Sequence, residues 1–295
     1  MTDRQWLLFL TLLPDVGRRT LRRALERQQV RRETPDEVLS LPDETLRAEY
    51  GLPPRAVRAI REERERWLEQ TAQLEAHLTR CGVRWVSFQD AAYPAALEDM
   101  PEPPAVLFLY GNHALLEEPT FALLASHTVS AQGLQELETL ANALLDQGLT
   151  PVVSGTQPAY QRALLCAVRR GAPYILALER GLLCAFGEDL RKEPLKQARI
   201  WQAEFDTERA LAISPFRPRD GWVASSGKYR DALIGYMAGA VIVVEARPDG
   251  YIVQLGRELL QRGRKVYVLT PRLESLPGNQ QILESGGTPF GANPP

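Results

Sequence analysis

The sequence predicts an α/β protein: a Rossmann-like, doubly wound, mostly parallel sheet preceded by a small helical domain. Three observations carry this. From Gly82 onward, short apolar runs alternate with helical stretches, the rhythm of βαβ units. Those runs lack polar alternation, as strands buried on both faces do. Before Gly82, apolar residues recur instead at spacings of three and four, the period of amphipathic helices.

The elements follow in order. Trp6, Leu7, Leu10 and Leu13 form a first helical stripe, which Pro14-Asp15-Val16-Gly17 ends. A second helix runs from Arg18 to Gln28, and Val38, Leu39 and Leu41 mark further helical turns. Gly51-Leu52-Pro53-Pro54 is another breaker, and Arg55 to Arg80 reads as one long charged helix. Short helices joined by a hydrophobic-Gly turn suggest a bundle of SAM or helix-hairpin-helix type. Strands are expected at Val83–Phe88, Ala105–Tyr110, Phe121–Ala125, Thr150–Ser154, Tyr174–Leu178, Ala210–Ile213, Ala240–Glu245 and Lys265–Leu269. Helices are expected at Leu134–Asp146, Tyr160–Arg170, Ala232–Ala238 and Ile252–Gln261. The domains so defined are residues 1–80, helical, and 81–290, the sheet core, with a Gly/Pro-rich tail at 291–295. Ligands of such a sheet bind beyond the carboxyl ends of its strands.

Composition excludes several classes. With 295 residues, 44% of them hydrophobic and 24% charged, the chain has ample apolar surface for a folded core. No apolar run approaches the ~20 residues needed to span a bilayer. The amino terminus lacks the pattern of a signal peptide, so a cytoplasmic protein without membrane contact is expected. Cys81, Cys166 and Cys184 are too widely spaced for a disulfide framework or a zinc site. His77, His113 and His127 fit no metal-binding spacing, and neither a GxxxxGK[ST] phosphate loop nor a GxGxxG motif is present. No Ser/His/Asp or Cys/His set and no acidic metal cluster stands out. The expectation is a protein without a cofactor, a metal or a catalytic centre.

The formal charge of -2 argues against a uniformly basic DNA-binding coat. It leaves room for focused patches. Residues 1–32 carry eight arginines against Asp3, Asp15 and Glu26. A hairpin turn exposes backbone N–H groups at a helix start, where they can hold a phosphate. On that basis Gly17, Arg18, Arg19 and Arg22 are candidate auxiliary DNA contacts. The same run also reads as a solvated helix face, and the spacing alone slightly favours that plainer reading.

The strand-loop junctions carry a resemblance. Tyr93-Pro94, Met100-Pro101-Glu102-Pro103-Pro104 and Tyr110-Gly111 come first. Phe121 to His127 with Ser130 and Gly133, then Val152-Val153-Ser154-Gly155, follow. Val241 to Ala246, Gly263 to Val268, and Gly278-Asn279-Gln280-Gln281-Ile282-Leu283 complete the series. In order and spacing, from about Tyr93 to Phe290, these resemble the DprA (Smf) DNA-processing family. The resemblance implies single-stranded DNA as ligand, a RecA-type recombinase as partner, homodimerisation, and a role in natural transformation and recombination. The winged-helix-like domain that often ends family members is not expected here.

Carried over residue by residue, the implied DNA-binding set is Ser126, His127, Ser130, Ser154, Gly155, Thr156, Lys228 and Arg230. Ser126 and the N–H groups after it would cradle a phosphate, and Ser154 with Gly155 would form a second wall. Lys228 and Arg230 would supply charge, and Tyr229 or Trp222 a ring for a base. Small residues after parallel strands also serve the turn alone, and for Ser126 and Gly155 the two readings balance. Glu245 reads as structural, orienting the loop beside it. Several ligand-facing positions depart from the family. His127 and Ala232 stand where it has Arg, Asp231 where it has Asn, and the residues after Gly155 lack its Asp and His. These losses predict weakened, localised binding. They also keep open a second reading, a nucleotide-binding sensor or enzyme of the wider superfamily that includes the LOG-like proteins.

Overall fold

The computed structural model describes residues 1–192 and 205–291. The chain packs as two compact units: Met1–Tyr93 with Pro101–Phe108, and Pro94–Met100 with Leu109 onward.

The first unit is built on α1 (Asp3–Leu12), α2 (Arg18–Arg31), α3 (Pro35–Ser40), α4 (Asp43–Ala48), α5 (Pro54–Glu62) and α6 (Arg64–Arg80). Thr2 opens α1 with a capping box: its hydroxyl accepts from the Gln5 N–H at 3.2 Å, and the Gln5 side chain accepts from the Thr2 N–H at 3.1 Å. Trp6, Leu8, Phe9 and Leu10 are each at most 1% exposed, so α1 is the buried helix of the unit. The expected single helix over Arg55–Arg80 is instead two. Glu63 leaves helical geometry (φ -128°, ψ 20°), separating the buried Val57 and Ile60 of one helix from Thr71, Leu74 and Leu78 of the next.

The expected fold class holds. Among the described residues, nine strands form one mostly parallel sheet: β1 (Arg84–Ser87), β2 (Val106–Gly111), β3 (Thr120–Ala125), β4 (Thr150–Val153), β5 (Tyr174–Ala177), β6 (Ala210–Ser214), β7 (Ala240–Glu245), β8 (Val266–Leu269) and β9 (Thr288–Phe290). Their order is β1-β2-β6-β5-β4-β3-β7-β8-β9, with every pair from β6 through to β9 parallel. β4, β5 and β6 are buried at every position, the burial their uninterrupted apolar runs require.

The connecting helices are α7 (Ala131–Asp146), α8 (Pro158–Arg169), α9 (Leu182–Phe186), α10 (Ser226–Met237), α11 (Tyr251–Gln261) and α12 (Pro277–Glu284). α7 packs on α8, and α10, α11 and α12 pack in succession, so the sheet is covered on both sides. β3 is the topological switch point: strands β4 to β6 leave from one side of it and β7 to β9 from the other.

Besides the short α9, two features of the second unit lie outside the expected elements. α10 begins at Ser226, six residues before the expected start. α12 and β9 form a further unit at the carboxyl end. There Gly278 lets backbone approach so closely that an added Cβ would lie 2.2 Å from the Ala246 carbonyl oxygen. The neighbouring Asn279 is fully buried and clamps three backbone groups. It accepts from the Ala246 N–H at 2.8 Å and donates to the carbonyls of Val244 and Leu269 at 3.0 and 3.1 Å. Of the expected tail, residues 292–295 lie outside the described residues.

Candidate nucleic-acid interface

The carboxyl edge of the sheet holds two side-chain networks. The first lies where β4 and β5 end. Arg230, only 1% exposed, projects from α10 beneath the loops. One of its terminal nitrogens donates to Ser154 Oγ at 3.1 Å, to Glu179 Oε2 at 2.7 Å and to Thr156 Oγ1. Its Nε donates to Asp231 Oδ1 at 2.9 Å, and the same oxygen accepts from the Tyr160 hydroxyl at 2.8 Å. The guanidinium lies 5.2 Å from the centroid of the Tyr160 ring. Thr156 in turn donates to Glu179 at 2.9 Å.

A charge buried this deeply is tolerated only when paired and hydrogen-bonded. One guanidinium faces two carboxylates here. Burial drives the Asp231 carboxyl above its ordinary range, against the opposing pull of Arg230 and of the bonds from Tyr160 and Arg230. Burial, reinforced by Asp231, likewise drives the Tyr160 hydroxyl well above its usual value. The backbone also bends to this site. Gln157, between β4 and α8, sits at φ +67° and ψ 140°, a region that favours glycine.

The second network closes the switch point. The β3–β7 register shifts between Leu124 and Ala125, so Ala125 pairs with Glu245. The Glu245 carboxylate then reaches the start of α7. It accepts from the Ser130 N–H at 2.9 Å and the Ser130 hydroxyl at 2.7 Å, and from Arg272 at 3.1 Å. Ser130 also caps α7, accepting from the Gly133 N–H at 3.0 Å. Gly133 is needed there, because a Cβ would lie 2.5 Å from Glu245 Oε2. Arg272 is held in place by a two-pronged pair with Glu136, both contacts at 2.8 Å. Burial works to raise the Glu245 carboxyl, but the bonds from Ser130 and Arg272 outweigh it and hold the group below its ordinary value. A side-chain carboxylate thus occupies the positive end of α7, the place expected for a phosphate.

The residues singled out from the sequence fall into two sets. Ser154, Thr156 and Arg230 share one network; Ser130 belongs to the other. Ser126 joins β3 to β7: its N–H donates to the Glu245 carbonyl at 2.8 Å, and its hydroxyl accepts from the Arg247 N–H at 2.7 Å. The Gly155 carbonyl accepts from Gln161 at 3.0 Å. Exposed to solvent are His127, Lys228 and the neighbouring Arg247.

The expectation that Arg230 offers charge to a ligand meets a different arrangement. Because α10 starts at Ser226, Arg230 falls on the helix's inward stripe with Ser226, Leu233 and Ile234, all at most 1% exposed. Asp231 is 4% exposed and paired. Lys228 lies on the outward face, its Nζ 5.4 Å from the Tyr251 ring. Glu179, Tyr160 and Arg272 went unnoticed in the sequence. Their partners are 51, 71 and 136 residues away, and no local spacing marks them.

In the first unit, Gly17 begins α2 without a side-chain cap. Arg18, Arg19, Arg22 and Arg23 line a cavity of about 280 Å³ together with Glu26 and Glu102. Arg19 pairs with Glu102, and Arg22 pairs with Glu26 at 2.8 Å while its guanidinium lies 4.2 Å from the Phe88 ring centroid. Arg23 donates to the carbonyls of Ala48 and Glu49 at 2.5 and 3.1 Å, closing the end of α4. Arg27 and Arg31 converge on Glu49. Much of this basic run therefore bonds to the unit itself.

Among the described residues, no group of three His, Cys, Asp or Glu side chains could hold a metal ion. Nor is any described helix long and apolar enough to cross a membrane.

A mostly parallel sheet, switched at β3 and carrying polar networks and exposed cations at its carboxyl edge, defines a doubly wound α/β protein. Comparison with known proteins gives its family. The family model of DNA recombination-mediator protein A matches residues 84–291, and the chain belongs to that family. It is 24% identical over 207 residues to the DNA processing protein DprA of Streptococcus pneumoniae, covering 69% of this chain and 70% of that protein. The X-ray structure of DNA processing protein A from S. pneumoniae superposes with a TM-score of 0.72 at 20% identity, covering 98% of this chain and 95% of that one. DNA processing protein A from Helicobacter pylori, described for its single-stranded DNA binding mode, superposes with a TM-score of 0.54 at 19% identity over 70% of this chain and 90% of that one.

Proposed function

We propose that this protein binds single-stranded DNA at the carboxyl edge of its sheet and acts, without catalysis, in DNA processing and recombination. Assistance to a RecA-type recombinase in natural transformation, homodimerisation and a cytoplasmic setting belong to the same proposal. The observation that carries it is the sorting of charge at this edge. Glu179, Asp231 and Glu245 are turned inward onto Arg230 and Arg272, whereas Lys228 and Arg247 are exposed. A phosphate chain arriving at this edge meets cations while those three carboxylates are already neutralised by the protein.

Of the residues singled out, Lys228 and His127 are the proposed direct phosphate contacts. Ser126, Ser154, Gly155 and Thr156 are the proposed walls. Arg230 and Ser130 hold those walls in place. Gly17, Arg18, Arg19 and Arg22 are proposed auxiliary contacts. The nucleotide-binding alternative has less support, because Glu245 fills the switch-point crevice where a nucleotide phosphate would rest at a helix start.

The test is a gel-shift titration of an oligo-dT strand and of a duplex of equal length across salt concentrations. Binding to oligo-dT that exceeds duplex binding and weakens steeply with salt is expected. Absence of any shift at low salt overturns the proposal.

A further inference from the structure

Most apolar surface in this protein is buried, which makes one exception informative. Among the described residues three large hydrophobic side chains are exposed: Val30, and the adjacent Trp222 and Val223, each of the pair at 55%. By contrast Trp6 is 1% and Trp85 3% exposed.

Trp222 does not sit on a fraying segment. The connection from β6 to α10 is pinned on both flanks. Upstream, the Asp220 N–H donates to the Arg217 carbonyl at 2.9 Å, and the Asp220 carbonyl accepts from the Gly181 N–H at 2.9 Å. Gly181 lies so close that a Cβ would be 1.9 Å from the Arg217 carbonyl oxygen. Downstream, the Val223 N–H donates to Ser226 Oγ at 3.2 Å, and the Ser226 N–H returns a bond to the Val223 carbonyl at 2.9 Å. The indole is presented on a held loop at the carboxyl edge.

The charges around it are of both signs, with the exposed Asp220 two residues before Trp222. The same connection carries Arg217 and Arg219, and Lys228 follows in the first turn of α10. Arg219 is paired with Glu188 at 2.7 and 2.8 Å. Other rings nearby are occupied. Tyr229 meets the Phe216 ring edge-on at 6.1 Å, and the Tyr251 hydroxyl donates to the Lys228 carbonyl at 2.7 Å.

We infer that Trp222 is a stacking platform for one unpaired nucleobase, with Lys228 on the adjoining phosphate. This deepens the DNA-binding reading and rests on it. An indole face beside cations suits single strands, whose bases are free to stack, and not duplexes, whose bases are already stacked. It is indifferent to sequence, since every base has a π-face.

The experiment measures binding of a labelled oligo-dT by anisotropy, with Trp emission followed in parallel, for the wild-type chain, W222A and W222F. Stacking predicts that W222A binds about 5- to 100-fold more weakly with an unchanged salt slope, because no charge is removed. It predicts that W222F keeps most of the affinity, and that quenching of Trp emission on binding is largely lost in W222F. Unchanged melting temperatures confirm that the exposed loop tolerates both changes. If W222A binds as tightly as wild type, the stacking role is wrong while the DNA reading stands. If affinity is unchanged but sedimentation shows that W222A alone loses a dimer, the patch covers a second copy and the stacking role is again wrong. If the folded wild-type chain binds no oligo-dT even at low salt, the DNA reading itself fails and takes the stacking role with it.

Discussion

The two crevices of the carboxyl edge solve the same problem with opposite charges. At the switch point between β3 and β7, the protein supplies an internal anion, Glu245, to the positive start of α7. Between β4 and β5 it supplies an internal cation, Arg230, to two buried carboxylates. Arg230, which invites a functional reading, and Glu245, which reads as structural, both stabilise the loops, and the outward neighbours are left for a ligand. A charged residue at a binding edge is therefore informative only once its burial is known. Lys228 and Arg230 are two residues apart on one helix, yet one faces water and the other the core.

The comparison can be broken most forcefully at Arg230. Arg230→Ala leaves Asp231 buried without its cation and Glu179 with only the longer pair to Arg180 at 3.5 Å, which costs about 3–5 kcal/mol. At roughly 2–4 °C per kcal/mol for a unit of this size, thermal denaturation should show a drop of about 6–20 °C. A loss below ~1 kcal/mol would mean that the network is not the keystone of that crevice.

The next largest effect is at Glu245. Glu245→Gln removes a charge that accepts two bonds from Ser130 and one from Arg272, and urea denaturation should show a loss of about 1–3 kcal/mol. The two crevices also differ in the sign of their pH dependence. The Glu245 carboxyl is held below its unfolded value, so its contribution is present above ~4.3 and is lost as pH falls through the lower folded value. The Asp231 carboxyl is raised, so its contribution is present below ~3.9 and is lost as pH rises through the higher folded value. Stability-pH curves should therefore lose part of their acid-side fall in Glu245→Gln and part of their opposite, rising-pH fall in Asp231→Asn. Identical curves for the two variants would erase the distinction.

Much of the fold was legible because burial writes itself into local pattern. The runs Val241–Val244 and Tyr174–Leu178 are apolar throughout, and both are strands buried on their two faces. The hairpin at Pro14–Gly17 was legible from its breakers. What was not legible depends on distance. Nothing near Glu179 or Arg272 tells that each meets a partner brought by another strand end. The start of α10 was missed because Ser225-Ser226-Gly227 reads as a loop, while buried Ser226 in fact opens the helix. The phase of that helix turns Arg230 toward the core, which a carried-over motif does not show. Glu245 was legible as a loop-orienting residue, because a carboxylate ending an apolar strand needs donors nearby.

The smallest effects sharpen the ligand side. His127 is exposed. His127→Arg restores the family's cation. It should tighten oligo-dT binding and steepen the dependence of log K on log salt by ~0.7, with stability unchanged within ~0.5 kcal/mol. No change in slope would remove position 127 from the DNA path.

The central claim is that outward cations bind the phosphate chain while the buried guanidinium only holds the walls. It is tested most directly by one salt titration of oligo-dT binding, run on the wild-type chain, Lys228→Ala and Arg230→Lys. A linear fall of log K with log salt is expected in wild type, with a slope shallower by ~0.7 in Lys228→Ala. Arg230→Lys should keep the wild-type slope even where its affinity drops. An unchanged slope in Lys228→Ala, together with a shallower one in Arg230→Lys, would contradict it.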